Sequence, residues 1–145
     1  MEFKELKTKY EFAKAYSLFS LLVEFSSYDT YEQRLQEMLK EGYRVFALED
    51  ENKNFLSLAG IYIKTDFFNG KHLWVSEMVT SLDQRSNGLG SKLVKGLEDL
   101  AKKENCEKIV LYSGLSRIRA QEFWEQQGFQ KRGIIFKKDI NDKTQ

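Results

Sequence analysis

The sequence predicts an α/β domain built on a mixed β-sheet. Helical and strand-like hydrophobic periods follow one another in the order α-α-β-β-β-α-β-α-β. The stretch 72–113 reads strand–helix–strand, and a crossover helix obliges its two strands to run parallel. Between the first of those strands and the helix lies DQRSNGLGSKL (83–93), with two glycines two apart at a helix start. Glycine there suits a backbone that something must touch.

Taken in order, residues 5–25 predict a first helix, with Leu6, Tyr10, Ala13, Tyr16 and Phe19 three or four apart and so on one face. Residues 31–41 predict a second: Thr30 and Gln33 pair as a capping box, Leu35, Met38 and Leu39 form the apolar stripe, and Gly42 suits the position after the helix. YRVFALE (43–49) and FLSLAGIYIK (55–64) are rich in β-branched and aromatic residues and are separated by the polar DENKN, which predicts two hairpin-paired strands. Asn69-Gly70 signals a tight turn into a third strand, 72–80. A helix over 88–103 follows, with Leu89, Leu93, Leu97 and Leu100 on its apolar face. A strand at 107–113, a helix at 117–127 stopped by Gly128, and a final strand at 133–140 complete the chain.

With 145 residues, no repeat and no linker, a single domain over 1–145 is expected. Hydrophobic residues make up 41% and charged residues 31%, and the net charge is +1. That balance argues against a nucleic-acid partner, as does the lack of interleaved basic and aromatic residues. No stretch approaches the roughly 18 apolar residues of a membrane span, and Cys106 alone cannot form an intrachain disulfide. A soluble cytoplasmic protein with no membrane partner is the expectation. One cysteine and one histidine far apart give no metal-ligand spacing, so no metal is expected.

A helix start carries unpaired N–H groups and partial positive charge, so an anion binds there without help from lysines. Gly88 and Gly90 would let it approach closely, Ser91 adds a hydroxyl and Arg85 a charged donor. Three phosphate-binding patterns compete. The P-loop fails because Gly88 is not five residues after another glycine. The dinucleotide fingerprint fails because Leu93 stands where its third glycine belongs. The pattern R-x-x-G-x-G is met by Arg85-Ser86-Asn87-Gly88-Leu89-Gly90. The alternative is a glycine-rich connection that holds nothing.

That turn resembles the signature of the GCN5-related N-acetyltransferase superfamily (GNAT), Q/R-x-x-G-x-G/A between a strand and a long helix. RIRAQEFWEQQGF (117–129) is similar to a second stretch of that family, matching at Ala120, Phe123, Gly128 and Phe129, and the element order agrees over nearly the whole chain. The resemblance implies an acyl-CoA N-acyltransferase fold: a mixed, mostly antiparallel sheet splayed between strands 72–80 and 107–113, with helices on both faces. It implies transfer of an acetyl group from acetyl-CoA, as co-substrate, to a primary amine by direct attack in a ternary complex. The acceptor would be a small-molecule or peptide amine, and a homodimer is a family habit.

The resemblance assigns the coenzyme's diphosphate to the backbone of Arg85, Ser86, Asn87, Gly88, Leu89, Gly90 and Ser91. It assigns the pantetheine and thioester to Met78, Val79 and Thr80. Glu77 becomes the candidate base, since the amine must lose a proton; the alternative is a solvated strand carboxylate. In a regular strand Glu77 and Thr80 face opposite ways, and a bulge of the kind family members often carry would break that parity. Two departures stand out. Trp124 occupies the place of the family's tyrosine acid, and an indole N–H is no usable acid; Arg117 replaces an asparagine. Trp124 keeps open a rival reading, a non-catalytic acyl-CoA binding or sensing domain.

Other residues read more plainly. His72 is expected at the surface of a hairpin, and Cys106 as a small packing residue. Tyr28 and Tyr31 lie where the family walls its acceptor pocket, though packing explains them equally well. Arg117 and Arg119 suit a solvated helix face.

Overall fold

The computed structural model describes residues 1–82 and 88–141. The chain divides into two compact units, Met1–Leu111 and Tyr112–Gln145.

The first unit is a five-stranded sheet in the order β1-β2-β3-β4-β5, with β1 Glu2–Glu5, β2 Arg44–Glu49, β3 Phe55–Asp66, β4 Gly70–Thr80 and β5 Lys108–Val110. The first three pairings are antiparallel and the last, β4 with β5, is parallel. Three helices belong to the same unit: α1 Lys9–Phe19, α2 Tyr28–Lys40 and α3 Leu89–Lys103. The parallel pairing is the one the strand–helix–strand unit demands. It is short, running from His72–Lys108 to Trp74–Val110, while β4 continues to Thr80. The sheet therefore opens between β4 and β5, as expected for this fold, although the second strand is much shorter than 107–113.

The two faces of the sheet carry separate cores, because side chains alternate along a strand. Val45, Ala47, Leu58 and Val79 point to one face and pack with Phe12, Ala15, Phe19, Tyr31 and Leu35 of α1 and α2. Phe46, Leu48, Ala59, Ile61, Leu73 and Val75 point to the other and meet Leu89, Leu93, Leu97 and Leu100 of α3. The leucine stripe of α3 is as predicted, and full burial of each such leucine is worth about 1.5–3 kcal/mol.

The N-terminal region departs from expectation. Residues 2–5 form an edge strand on β2, so Glu5 ends a strand rather than starting a helix. The first helix is delayed to Lys9 by a capping box, in which Thr8 Oγ1 accepts from the Glu11 N–H and Glu11 Oε1 accepts from the Thr8 N–H. Its buried face is Phe12, Ala15, Leu18 and Phe19, so Tyr10 is exposed. Ser20 ends it, and Leu21, Leu22 and Val23 lie exposed in turns. The second helix starts earlier than 31: Ser27 is its cap and accepts from the Thr30 N–H, which leaves Thr30 inside the first turn.

In the second unit, α4 spans Ile118–Gln126 and ends at Gly128, which takes φ +93°. Residues 133–140 form no strand there. Strand propensity alone makes no ladder, and Ile134, Ile135, Phe136 and Ile140 are exposed. Lys137 lies beside Tyr112, with Nζ 3.2 Å from the phenol oxygen.

Candidate active site

β4 carries a bulge that decides where its carboxylate points. Gly60 of β3 pairs with Glu77, but Ile61 pairs with Val75, so Ser76 is an extra residue on β4. Leu73 and Val75 face the α3 core, and strict alternation would send Glu77 after them. The extra residue reverses the phase. Glu77 then shares the α1/α2 face with Val79. The bulge precedes Glu77, so Glu77 and Thr80 keep opposite facing; what changes is the core to which Glu77 turns.

There Glu77 meets Tyr43, the residue before β2. The Tyr43 hydroxyl donates to Glu77 Oε1, and the Ser76 hydroxyl donates to Oε2 at 2.7 Å. Tyr43 is buried, 4% exposed, and its ring lies 5.2 Å from that of Tyr62. The pair fits because of Gly60: a Cβ on that residue would fall on the Tyr43 hydroxyl. Burial pushes the Glu77 carboxyl above its ordinary range, and the two hydroxyl donors work against that rise. Burial, reinforced by the Glu77 charge and the shared hydrogen bond, pushes the Tyr43 phenol up as well. Glu77 thus sits half-buried in a hydrogen-bonded setting rather than on a solvated strand face.

Met78, Val79 and Thr80 follow, paired with Ala59, Leu58 and Ser57. The Ser81 N–H donates to Leu56 O at 2.8 Å. By alternation the Val79 amide also faces β3, while those of Met78 and Thr80 face the opposite edge, past the last β5 rung. The Val79 side chain fills the α1/α2 core. Arg85, Ser86 and Asn87 lie outside the described residues. Gly88 is the N-cap of α3 in the left-handed region, φ +73°, and the first turn of Leu89, Gly90 and Ser91 holds no acidic residue. A helix start of this kind fits an anion.

Tyr28 and Tyr31 belong to an aromatic cluster with Tyr16 and Phe25, ring centroids 4.9–5.8 Å apart. Tyr31 also donates to Phe12 O at 2.6 Å, so it ties α2 to α1. His72 is not at the surface: it is 2% exposed, with Nδ1 2.9 Å from Gly70 O. The surface expectation fails because the turn lies at 67–69 and residue 72 is already inside the ladder. Burial raises the Cys106 thiol, in keeping with a packing residue. Trp124 of α4 contacts Phe123 in the same helix and Phe129 just beyond it, at 5.0 and 5.1 Å between ring centroids. Arg117 is its N-cap, with no side-chain cap hydrogen bond, and Arg119 is exposed. Among the described residues no group of His, Cys, Asp and Glu is gathered as metal ligands, and no helix is long and apolar enough to cross a membrane.

The sequence matches the acetyltransferase (GNAT) family over residues 9–129. The chain belongs to that family. It is 34% identical over 139 residues to the uncharacterized N-acetyltransferase YhdJ of Bacillus subtilis (strain 168), covering 94% of this chain and 97% of that one. The same fold recurs in glucosamine-6-phosphate N-acetyltransferase from Arabidopsis thaliana, at 22% identity and a TM-score of 0.74, over 97% of this chain and 100% of the other. It recurs again in the aminoglycoside N-acetyltransferase AAC(6')-Iy, solved with a CoA-containing bisubstrate analogue, at 15% identity and a TM-score of 0.77, with the same coverage. GNAT membership and the N-acetyltransferase relative indicate N-acetyltransferase activity. In this GNAT chain the residues that sequence reasoning missed are Tyr43, Gly60 and Ser76. An isolated glycine inside a strand pattern, Gly60, was the available signal, since such a glycine marks a bulge or a close approach.

Proposed function

We propose that the chain moves an acetyl group from acetyl-CoA to a primary amine in a ternary complex, with Glu77 as the base. The observation that carries this reading is the setting of Glu77, a carboxyl turned by a bulge and raised by burial toward the range a base needs. Glu77, directly or through a water, takes a proton from the acceptor ammonium. The freed nitrogen attacks the thioester carbonyl; a C–N bond forms, the C–S bond breaks, and the thiolate and the nitrogen's second proton are balanced through solvent. Trp124 supplies no proton.

Met78, Val79 and Thr80 are proposed to meet the pantetheine, with an outward backbone N–H polarising the thioester carbonyl. Arg85, Ser86, Asn87, Gly88, Leu89, Gly90 and Ser91 are proposed to hold the diphosphate. The acceptor is proposed to be a small-molecule amine, the class that the glucosamine phosphate and aminoglycoside enzymes name. The family match runs across both units, which supports one functional domain.

Two measurements test this. Calorimetry with CoA should give heat, and thiol release from acetyl-CoA should depend on an amine drawn from spermidine, kanamycin, glucosamine 6-phosphate, amino acids and peptide N-termini. Glu77→Gln should lower kcat by about 10²–10⁴-fold and leave CoA affinity unchanged. A non-catalytic acyl-CoA sensor, which Trp124 favours, would bind CoA and release no thiol. A chain that neither binds CoA nor releases thiol would refute the proposal.

A further inference from the structure

Tyr43 reaches Glu77 across a whole strand. Their strands, β2 and β4, lie on either side of β3, so roughly 10 Å separates them. Val45, Gly60 and Glu77 are in lateral register, and Tyr43 precedes Val45 by two residues on the same face. Its ring therefore leans diagonally over Gly60 toward Glu77. Any side chain at residue 60 would block that path. Three independent features, an extra residue at 76, a glycine at 60 and a buried tyrosine at 43, are all needed for one hydrogen bond.

That bond does little for the fold. A hydroxyl bound to a half-buried carboxylate offsets part of a burial cost that an apolar residue at 77 would never incur. What it does supply is orientation. A carboxylate has about four lone-pair positions on two oxygens. Tyr43 occupies one on Oε1 and Ser76 one on Oε2. With one donor on each oxygen the carboxylate plane is fixed, and the remaining positions point in defined directions.

We propose that Tyr43 is a positioning residue for acetyl transfer, its hydroxyl passing over Gly60 to hold the Glu77 carboxylate toward the acceptor amine. This rests on Glu77 being the base. Tyr43 itself gives up no proton: its phenol is held above the ordinary range, so it remains a donor throughout the working pH. The titratable groups that act on the pair from the neighbouring elements are Tyr62 on β3 and Tyr31 on α2, with Glu41 at the end of α2 acting on Tyr62.

The sign of the pH effect follows. The Tyr43 hydroxyl favours ionised Glu77. Removing it raises the Glu77 carboxyl further, and a base works only when ionised. The acidic limb of the rate profile then moves to higher pH.

The experiment compares wild type, Tyr43→Phe, Ser76→Ala, Glu77→Gln and Tyr43→Phe/Glu77→Gln, using acetyl-CoA with the amine from the panel that wild type acetylates fastest. Carbon-13 NMR, assigned by difference with Glu77→Gln, follows the Glu77 carboxyl through its titration. Tyr43→Phe should lower kcat by about 10- to 100-fold, keep KM for acetyl-CoA within about twofold, and raise both the carboxyl midpoint and the acidic limb. Ser76→Ala should shift both the same way. In the Glu77→Gln background Tyr43→Phe should change kcat no further. An unchanged kcat and limb in Tyr43→Phe, or an equal loss in both backgrounds, overturns the positioning role. Wild-type rate in Glu77→Gln, or a wild type that acetylates none of the amines, instead overturns the reading on which it rests.

Discussion

Gly60 stands directly opposite Glu77 across the β3–β4 ladder, at the last pair before the register shifts. The space its missing side chain leaves is filled by the Tyr43 hydroxyl and ring end and by Glu77 Oε1. Gly60→Ala would normally help a strand, because alanine loses less backbone freedom than glycine. Here the new methyl must displace Tyr43, which is buried, so the expected outcome is a loss of about 1–3 kcal/mol in urea unfolding. In a Tyr43→Ala background the same substitution should cost much less, since the buried ring is gone and only Glu77 Oε1, the end of a flexible side chain, must shift. Equal costs in both backgrounds would mean that Gly60 is required for some other reason.

The start of α3 makes a second prediction, in which stability and binding move oppositely. Ser91 is the third residue after the Gly88 cap, is exposed, and lies in a first turn free of acidic residues. Ser91→Glu places negative charge at the positive end of the helix and should stabilise the free protein by about 0.3–1 kcal/mol. The same charge repels a diphosphate held there, so CoA should bind about tenfold more weakly or worse. Thermal unfolding without ligand and calorimetry with CoA read the two effects separately. Unchanged affinity would move the diphosphate elsewhere.

How much of this was legible follows from the range of each interaction. The α3 stripe of Leu89, Leu93, Leu97 and Leu100 was plain, because helical period is written locally and the face it predicts is buried. β1 was not, because four residues become a strand only by pairing with β2, some forty residues on. Residues 133–140 show the converse: a strand-like composition without a ladder. The capping box that starts α1, Thr8 with Glu11, was available locally but masked by Leu6, which extends the three-to-four spacing of Tyr10 and Ala13 back across it. In the site, Glu77 was reachable through the family resemblance. Its setting was not, since the phase of β4 depends on a bulge and Tyr43 arrives from another strand. Only Gly60, a lone glycine in a strand pattern, announced the crossing.

A glycine inside α3 gives a third prediction. Gly96 lies mid-helix, where alanine would ordinarily gain about 1 kcal/mol. A Cβ there would run into the ring of Phe3, which is stacked on Phe46 with centroids 5.2 Å apart. The clash outweighs the propensity, so Gly96→Ala should destabilise by about 1–3 kcal/mol. In a Phe3→Ala background the sign should reverse and the propensity gain should appear. Denaturant titration of the four proteins of this cycle decides it; a stabilising Gly96→Ala in the wild-type background would show that β1 yields easily.

Acid stability should depend on Glu11. Burial works to raise its carboxyl, but the Lys7 and Thr8 N–H groups, at 2.7 and 2.9 Å, and the Lys4 ammonium at 3.0 Å overturn that and hold it at about 2. In the unfolded chain a glutamate titrates near about 4.3. A carboxyl lower in the folded state than in the unfolded state stabilises the fold at every pH above the unfolded value. That contribution drains as pH falls from about 4.3 toward about 2, because the folded protein must then take up the proton it resisted. Glu11→Gln removes the charge and the Lys4 ion pair while keeping the side chain's size and an oxygen that can still accept from the Thr8 N–H, so it should cost about 0.5–2 kcal/mol at neutral pH. The gap between wild type and variant should narrow through that acid window and nearly close at its lower end. Urea titrations at pH 7, 4 and 2.5 measure it, and a gap that stayed constant with pH would show that the ionised carboxylate is not what anchors the start of α1.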